Sequence, residues 1–181
     1  GVSTGVTAMT PGDLGLLILR LVIGLTFAAH GAQKAFGWWS GPKYAGWRAG
    51  VERMRVRPAG FWALVSTAAE LGGGVLLAVG LLTPLATAAL IAQSLVIVGL
   101  VHLPKGFWNA NGGVEFPLSL AAGVVALAGT GSGSASLDAA LGLSYSAEVR
   151  GLLIAVGVLG ALVALAISRI RPVGRPAAGP R

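Results

Sequence analysis

Six ionisable side chains interrupt the first four apolar stretches of this 181-residue chain: Arg20, His30, Lys34, Glu70, His102 and Glu115. A charge within a bilayer is costly, so each such residue needs a partner or a task. At 1.5 Å per helical residue, Arg20 lies ~9 Å and Glu70 ~16 Å below the same membrane surface. Long side chains close much of that gap, and an intramembrane Arg20–Glu70 ion pair is expected, either a structural clamp or a charge facing a polar ligand. His30 and Lys34 are four residues apart and share a helical face. His102 closes the third apolar stretch and Glu115 opens the fourth, so these four residues fall near one membrane plane. Such a group suits a quinone headgroup, because an imidazole donates a hydrogen bond to a carbonyl and exchanges protons near neutral pH. The simpler alternatives are an interhelical hydrogen bond for His30 and snorkelling to the headgroups for Lys34. Two histidines at helix ends, with no second pair, make a poor haem b site.

The elements that must position these residues follow from composition. The chain is 55% hydrophobic and 10% charged, with 29 glycines, and lacks the polar surface of a soluble domain. Spanning helices need about 20 apolar residues, and stretches at 14–35, 59–81, 84–103, 114–130 and 149–170 approach that length. Asp13 is placed to cap the first, which has no basic segment before it and no small-residue cleavage site after it, and so reads as an anchor. Leu82-Thr83-Pro84 turns the second stretch into the third as an antiparallel hairpin. The loop 105–113 is rich in turn formers, and its Phe107 and Trp108 suit the headgroup layer. The Gly/Ser-rich segment 129–146 reads as a loop with a helical turn around Asp138. Gly24, Gly31, Gly72, Gly73, Gly74 and Gly80 allow close helix packing. Residues 43–58 read as a surface helix with Trp47 and Met54 toward lipid and arginines toward anionic headgroups.

Net charge is +7, yet the basic residues fall at helix ends, which points to a membrane face and away from nucleic acid. With the amino terminus outside and the carboxyl terminus inside, eleven of the thirteen basic residues lie on the cytoplasmic side; Arg20 and Arg150 are the exceptions. No cysteine is present, so disulfides, thiolate clusters, zinc fingers and c-type haem are excluded, no metal site is expected, and redox chemistry would need a bound cofactor.

The words LRLVIGLTFAAHGAQKAFG at 19–37, AELGGGVLLAVGLLTPLA at 69–86 and HLPKGFWNANGGVEFPLSLAAGVVALAGTGSGSASLD at 102–138 occur in that order. Together they resemble the DoxX family of small bacterial membrane proteins. The resemblance implies an all-α bundle of four helices in the bacterial cytoplasmic membrane, to which this chain adds a fifth, C-terminal transmembrane helix. The implied division is a four-helix membrane domain at 1–138, a loop and added helix at 139–170, and a disordered basic tail at 171–181. It also implies a setting among redox systems, since a related type of protein is a membrane subunit of thiosulfate:quinone oxidoreductase. Carried onto this chain, it points to Arg20, His30, Lys34, Glu70 and Glu115.

Three functional classes remain open. One is an accessory subunit of a redox or respiratory complex, not catalytic alone, that contributes a quinone site from His30, Lys34, His102 and Glu115. Another is a purely structural subunit that docks protein partners. The third binds lipid or a small solute, although no broken-helix pair or inverted repeat supports transport.

Overall fold

The computed structural model describes residues 9–170; the basic tail at 171–181 lies outside the described residues. Its longer elements are α1 (Pro11–Phe36), α2 (Lys43–Arg53), α3 (Ala59–Val79), α4 (Thr83–Ile97), α5 (Glu115–Thr130), the single turn α6 (Leu137–Ala140) and α7 (Ala147–Ile170). Among the described residues there is no strand.

Helix α1 starts where sequence chemistry requires, but at a different cap. Thr10, not Asp13, is the N-cap: its hydroxyl accepts from Asp13 N at 3.2 Å while Asp13 Oδ2 accepts from Thr10 N at 3.1 Å. This reciprocal box satisfies two backbone donors that a helix start leaves free. Gly37 ends α1 in the left-handed region at φ 78°, which glycine adopts without side-chain clash.

Helices α1, α3, α4 and α5 form a closed ring in which each packs on the next and α5 returns to α1; α7 lies outside, against α4. Small residues set the α1–α3 contact. A Cβ on Gly24 would strike the backbone of Gly74 and Ala78, and one on Gly31 would strike Leu71. The antiparallel register thus sets Gly24 beside Ala78, Ala28 beside Gly74 and Gly31 beside Leu71. Lipid offers no hydrophobic drive between helices, so such close backbone approach supplies the attraction.

Four helical stretches have spanning length: Pro11–Phe36, Ala59–Val79, Thr83–Lys105 and Ala147–Ser168, of 26, 21, 23 and 22 residues. The third continues α4 through a π-helical turn at Val98–His102 and a 3-10 turn at Leu103–Lys105. Outward residues such as Val22, Leu25, Leu64, Leu95, Leu152 and Leu159 are apolar and exposed. A bundle whose outward surface is this apolar is suited to lipid as its solvent. Helix α5, with 16 residues, reaches only ~24 Å, short of the ~30 Å hydrocarbon core. The chain beyond its end, 131–146, folds over that end of the bundle and carries the expected turn near Asp138 as α6.

Helix α2 differs from expectation in facing. Val51, Val56 and Ala63 form a small buried cluster, and Trp47 and Met54 pack on it instead of turning to lipid. Their apolar surface is covered by the bundle's own end.

Candidate functional site

Glu70 and Arg20 do not pair. The glycine register sets Arg20 beside Gly80, and Glu70 lies ten residues from Gly80 along α3, ~15 Å at helical rise. No side chain spans that distance, and measuring both depths from one surface underestimated the separation. Arg20 instead turns to the folded-over segment after α5, where its Nη1 donates to Ser132 O at 2.6 Å and its Nη2 to Ala135 O at 2.5 Å. Backbone carbonyls are a recognised way to satisfy an intramembrane arginine. Gly80, at φ 67°, must be glycine here because a Cβ would meet the Arg20 guanidinium.

Beside Arg20, Asp138 secures the α3–α4 turn. Its Oδ1 accepts from Leu82 N at 2.8 Å and from the Tyr145 hydroxyl at 3.0 Å, and its Oδ2 accepts from Thr83 N at 3.0 Å. A residue 55 positions downstream therefore caps α4, whose own N-cap, Leu82, has no side-chain acceptor. Burial pushes the Asp138 carboxyl up, but the hydrogen bonds from Thr83, Leu82 and Tyr145 outweigh it and hold the carboxyl below its ordinary value.

Glu70 finds its partner at the other end of α1. Lys34 Nζ donates to Glu70 Oε1 at 2.6 Å, and the two side chains are only 12% and 6% exposed, so Lys34 does not snorkel. Register explains the pairing, because Lys34 lies one turn beyond Gly31 and Glu70 is next to Leu71, the residue that Gly31 touches. Gln93 Nε2 donates at 2.8 Å to both Glu70 Oε1 and Ser66 Oγ. The indole of Trp47 closes the group from α2, with Lys34 Nζ 4.0 Å from its ring centroid. A cation over an indole face is a favourable contact in a desolvated place.

These groups border a cavity of about 240 Å³ at this end of the four-helix ring. Its walls carry Lys34, Glu70, Gln93, Trp47, His30 and His102, with Phe27, Phe116 and Leu120 as apolar surfaces. His102 stands at the end of the π-helical turn, and its Nδ1 is 2.7 Å from Gly112 O. A carbonyl only accepts, so Nδ1 carries a proton and Nε2 is the acceptor of the neutral ring. His30 is exposed at the cavity's flank, its ring 6.3 Å from that of Phe116.

Two of the lining residues each keep an atom without a partner: Glu70 Oε2 and Trp47 Nε1 are shielded from solvent and cavity alike and make no hydrogen bond among the described residues. Leaving a buried donor or acceptor unmade costs about 1–3 kcal/mol each. The cavity itself is lined by an ion pair, an amide and two imidazoles, bounded by apolar rings.

Three of the four residues expected to frame a ligand site, His30, Lys34 and His102, do line one cavity. Glu115 does not. Its Oε2 accepts from Asn109 N at 2.9 Å, and the strand-like bonds Val114 N to Gly106 O and Glu115 N to Phe107 O hold the loop that it braces. The carboxylate that reaches the cavity is Glu70. Trp47, Ser66 and Gln93 were absent from the sequence-derived set. Ser66 and Glu70 are four apart on the buried face of α3, and Gln93 is the one amide in α4, so a search for neutral polar residues would include two of the three, along with Thr83, Thr87 and Ser94. Among the described residues no three His, Asp or Glu side chains gather as a metal site.

No curated protein and no solved structure matches the chain. One family model does, over residues 15–103, which takes in α1 to α4 with Arg20, His30, Lys34, Glu70 and His102 and leaves α5 to α7 beyond it. On that match, about half of its length, this multi-pass helical membrane protein belongs to the DoxX family.

Proposed function

We propose that this protein is an accessory membrane subunit of a bacterial redox or respiratory complex and that its polar cavity receives a quinone headgroup. The observation that carries this reading is the buried Lys34–Glu70 pair, which lines one cavity together with Gln93, His102 and the rings of Phe27 and Phe116. A quinone ring supplies two carbonyl acceptors in its oxidised form and two hydroxyl donors in its reduced form, together with the capacity to carry electrons. The Lys34 ammonium donates to carbonyl oxygen, whereas the Glu70 carboxylate accepts from hydroxyl. His102 Nε2 accepts a proton at the cavity wall. Phe27 and Phe116 supply the flat apolar surfaces between which such a ring is held.

In this reading the protein lies in the cytoplasmic membrane with its amino terminus outside. The cavity then faces the cytoplasm, alongside Lys43, Arg48, Arg53, Arg55, Arg57 and Lys105, as the excess of positive charge on cytoplasmic loops favours. Residues 1–138 form the quinone-binding unit, and 139–170 add α7. Electrons come from partner subunits, since the chain has no cysteine to hold an iron–sulfur cluster.

A purely structural subunit is the competing reading. It is favoured by the Arg20 and Asp138 fastenings, which hold the opposite end and ask for no ligand. Extraction separates the two. Protein purified in mild detergent is expected to release a quinone in near-stoichiometric amount on solvent extraction, and Glu70→Gln is expected to reduce the recovery about tenfold. Intact protein that yields no quinone overturns the proposal, and recovery of phospholipid alone favours lipid binding.

A further inference from the structure

A second cavity, of about 210 Å³, lies between α3, α4 and α7 with α2 beneath it, and its walls are almost wholly apolar. Val65, Ala69, Ala89, Val96, Gly160 and Ala164 are typical of its surface. Trp47, Gln93 and Ile97 line both this cavity and the polar one, so the two adjoin across these three side chains. Its only polar side chains besides the shared Gln93 and the Trp47 indole come from Ser66 and Trp62; the Ser66 hydroxyl is engaged with Gln93 and Lys34, and the Trp62 indole with Arg57 O.

The far wall is the work of α7, which lies beyond the family match. Gly157 lets α7 approach the Ala88 carbonyl closely, whereas at Gly160 a Cβ would meet nothing within 4 Å. Small residues thus bring the helix in at one level and leave a furrow one turn on. A furrow of this kind, walled by hydrocarbon and continuous with a polar cavity, fits one half of an amphiphile.

We infer that the apolar cavity holds the hydrocarbon chain of the same molecule whose ring enters the polar cavity, so the ligand is a quinone bearing a long isoprenoid or alkyl chain. The inference rests on the headgroup reading above. It makes α7 part of the binding site and gives the partition formed by Trp47, Gln93 and Ile97 the task of placing ring and chain on its two sides. The chain gains van der Waals contact with the cavity walls in exchange for contact with lipid, and the ring supplies orientation.

The test uses the full chain in lipid nanodiscs and two probes, a benzoquinone without a chain and the same ring carrying a decyl chain, with binding read by quenching of tryptophan fluorescence. The decyl compound is expected to bind at least tenfold more tightly than the chainless one. Gly160→Leu, which fills open space, is expected to cut that advantage to about twofold while leaving the chainless affinity unchanged. Val156→Phe, at an exposed rim position, provides a second and independent obstruction with the same expected result. A decyl advantage that both variants leave intact reflects partition into lipid and overturns the inference while the headgroup reading stands. Failure of either probe to bind the unmodified protein removes the headgroup reading, and this inference with it.

Discussion

The two ends of the bundle both bury charge, but they dispose of it differently. At one end, both terminal nitrogens of Arg20 donate to backbone carbonyls, and Asp138 accepts three hydrogen bonds that fasten the α3–α4 turn. At the other, Lys34 and Glu70 pair at the wall of a cavity, and a carboxylate oxygen and an indole N–H of lining residues are buried without a bond among the described residues. A buried charge is therefore weak evidence of function by itself, and so is an unpartnered atom, since among the described residues Thr83 Oγ1 has no partner and Thr83 lines a cavity of about 110 Å³ at the fastened end. What distinguishes the second end is a larger cavity, about 240 Å³, lined by an ion pair, an amide and two histidines. Arg20 Nε is also without a partner, but Arg20 lines none of the cavities described.

The largest effect should come from the fastened end. Arg20→Leu removes two charged hydrogen bonds and leaves Ser132 O and Ala135 O unsatisfied, with an expected cost of about 4 kcal/mol. Thermal unfolding in detergent checks it, and a loss below about 1 kcal/mol would show that the clamp is dispensable. At the other end, Lys34→Met should cost about 3 kcal/mol because it strands the Glu70 carboxylate. The double variant Lys34→Met/Glu70→Leu should return to within about 1 kcal/mol of the unmodified protein, since replacing a buried pair by apolar groups is often neutral. Failure of the second change to rescue the first would mean that the pair stabilises the bundle beyond mutual neutralisation.

Between the two ends, Gly31→Ala should cost about 2 kcal/mol by driving a methyl group into Leu71. A neutral result would contradict the register on which the Lys34–Glu70 pairing depends. The smallest effect concerns pH. Asp138 has a folded pKa below its unfolded one, so its contribution is present above the ordinary carboxylate value, ~4, and is lost as pH falls through the depressed folded value. Stability should decline in that acidic window, and Asp138→Asn should flatten the decline at a cost of about 1 kcal/mol at neutral pH. An unchanged acid limb in the variant would remove Asp138 from the account.

Much of the architecture is legible in the sequence, because hydropathy, prolines and glycines act locally. The five apolar helices, the Pro84 hairpin, the turn at Asp138 and the glycine-mediated packing all follow from neighbouring residues. The gathering of His30, Lys34 and His102 at one end of the bundle follows as well, since it requires only counting along each helix. Pairings between helices do not. Whether Glu70 meets Arg20 or Lys34 depends on the α1–α3 register, which Gly24, Gly31 and Gly74 set through contacts that no single segment reveals. Trp47 was assigned to lipid because an amphipathic segment does not announce whether its apolar face meets lipid or protein. Glu115 was grouped by depth alone, although the turns of its own loop claim it first.

In the proposed reading the Lys34–Glu70 end is a ligand site and the Arg20 end is a fastening. Titration of a decyl-substituted quinone into nanodiscs holding the unmodified protein, Lys34→Met/Glu70→Leu, or Asp138→Asn tests it directly by tryptophan quenching. Saturable quenching is predicted for the unmodified protein and for Asp138→Asn, and its loss for the double variant with the thermal midpoint preserved. Equal saturation in all three proteins, or none in any, would contradict the account.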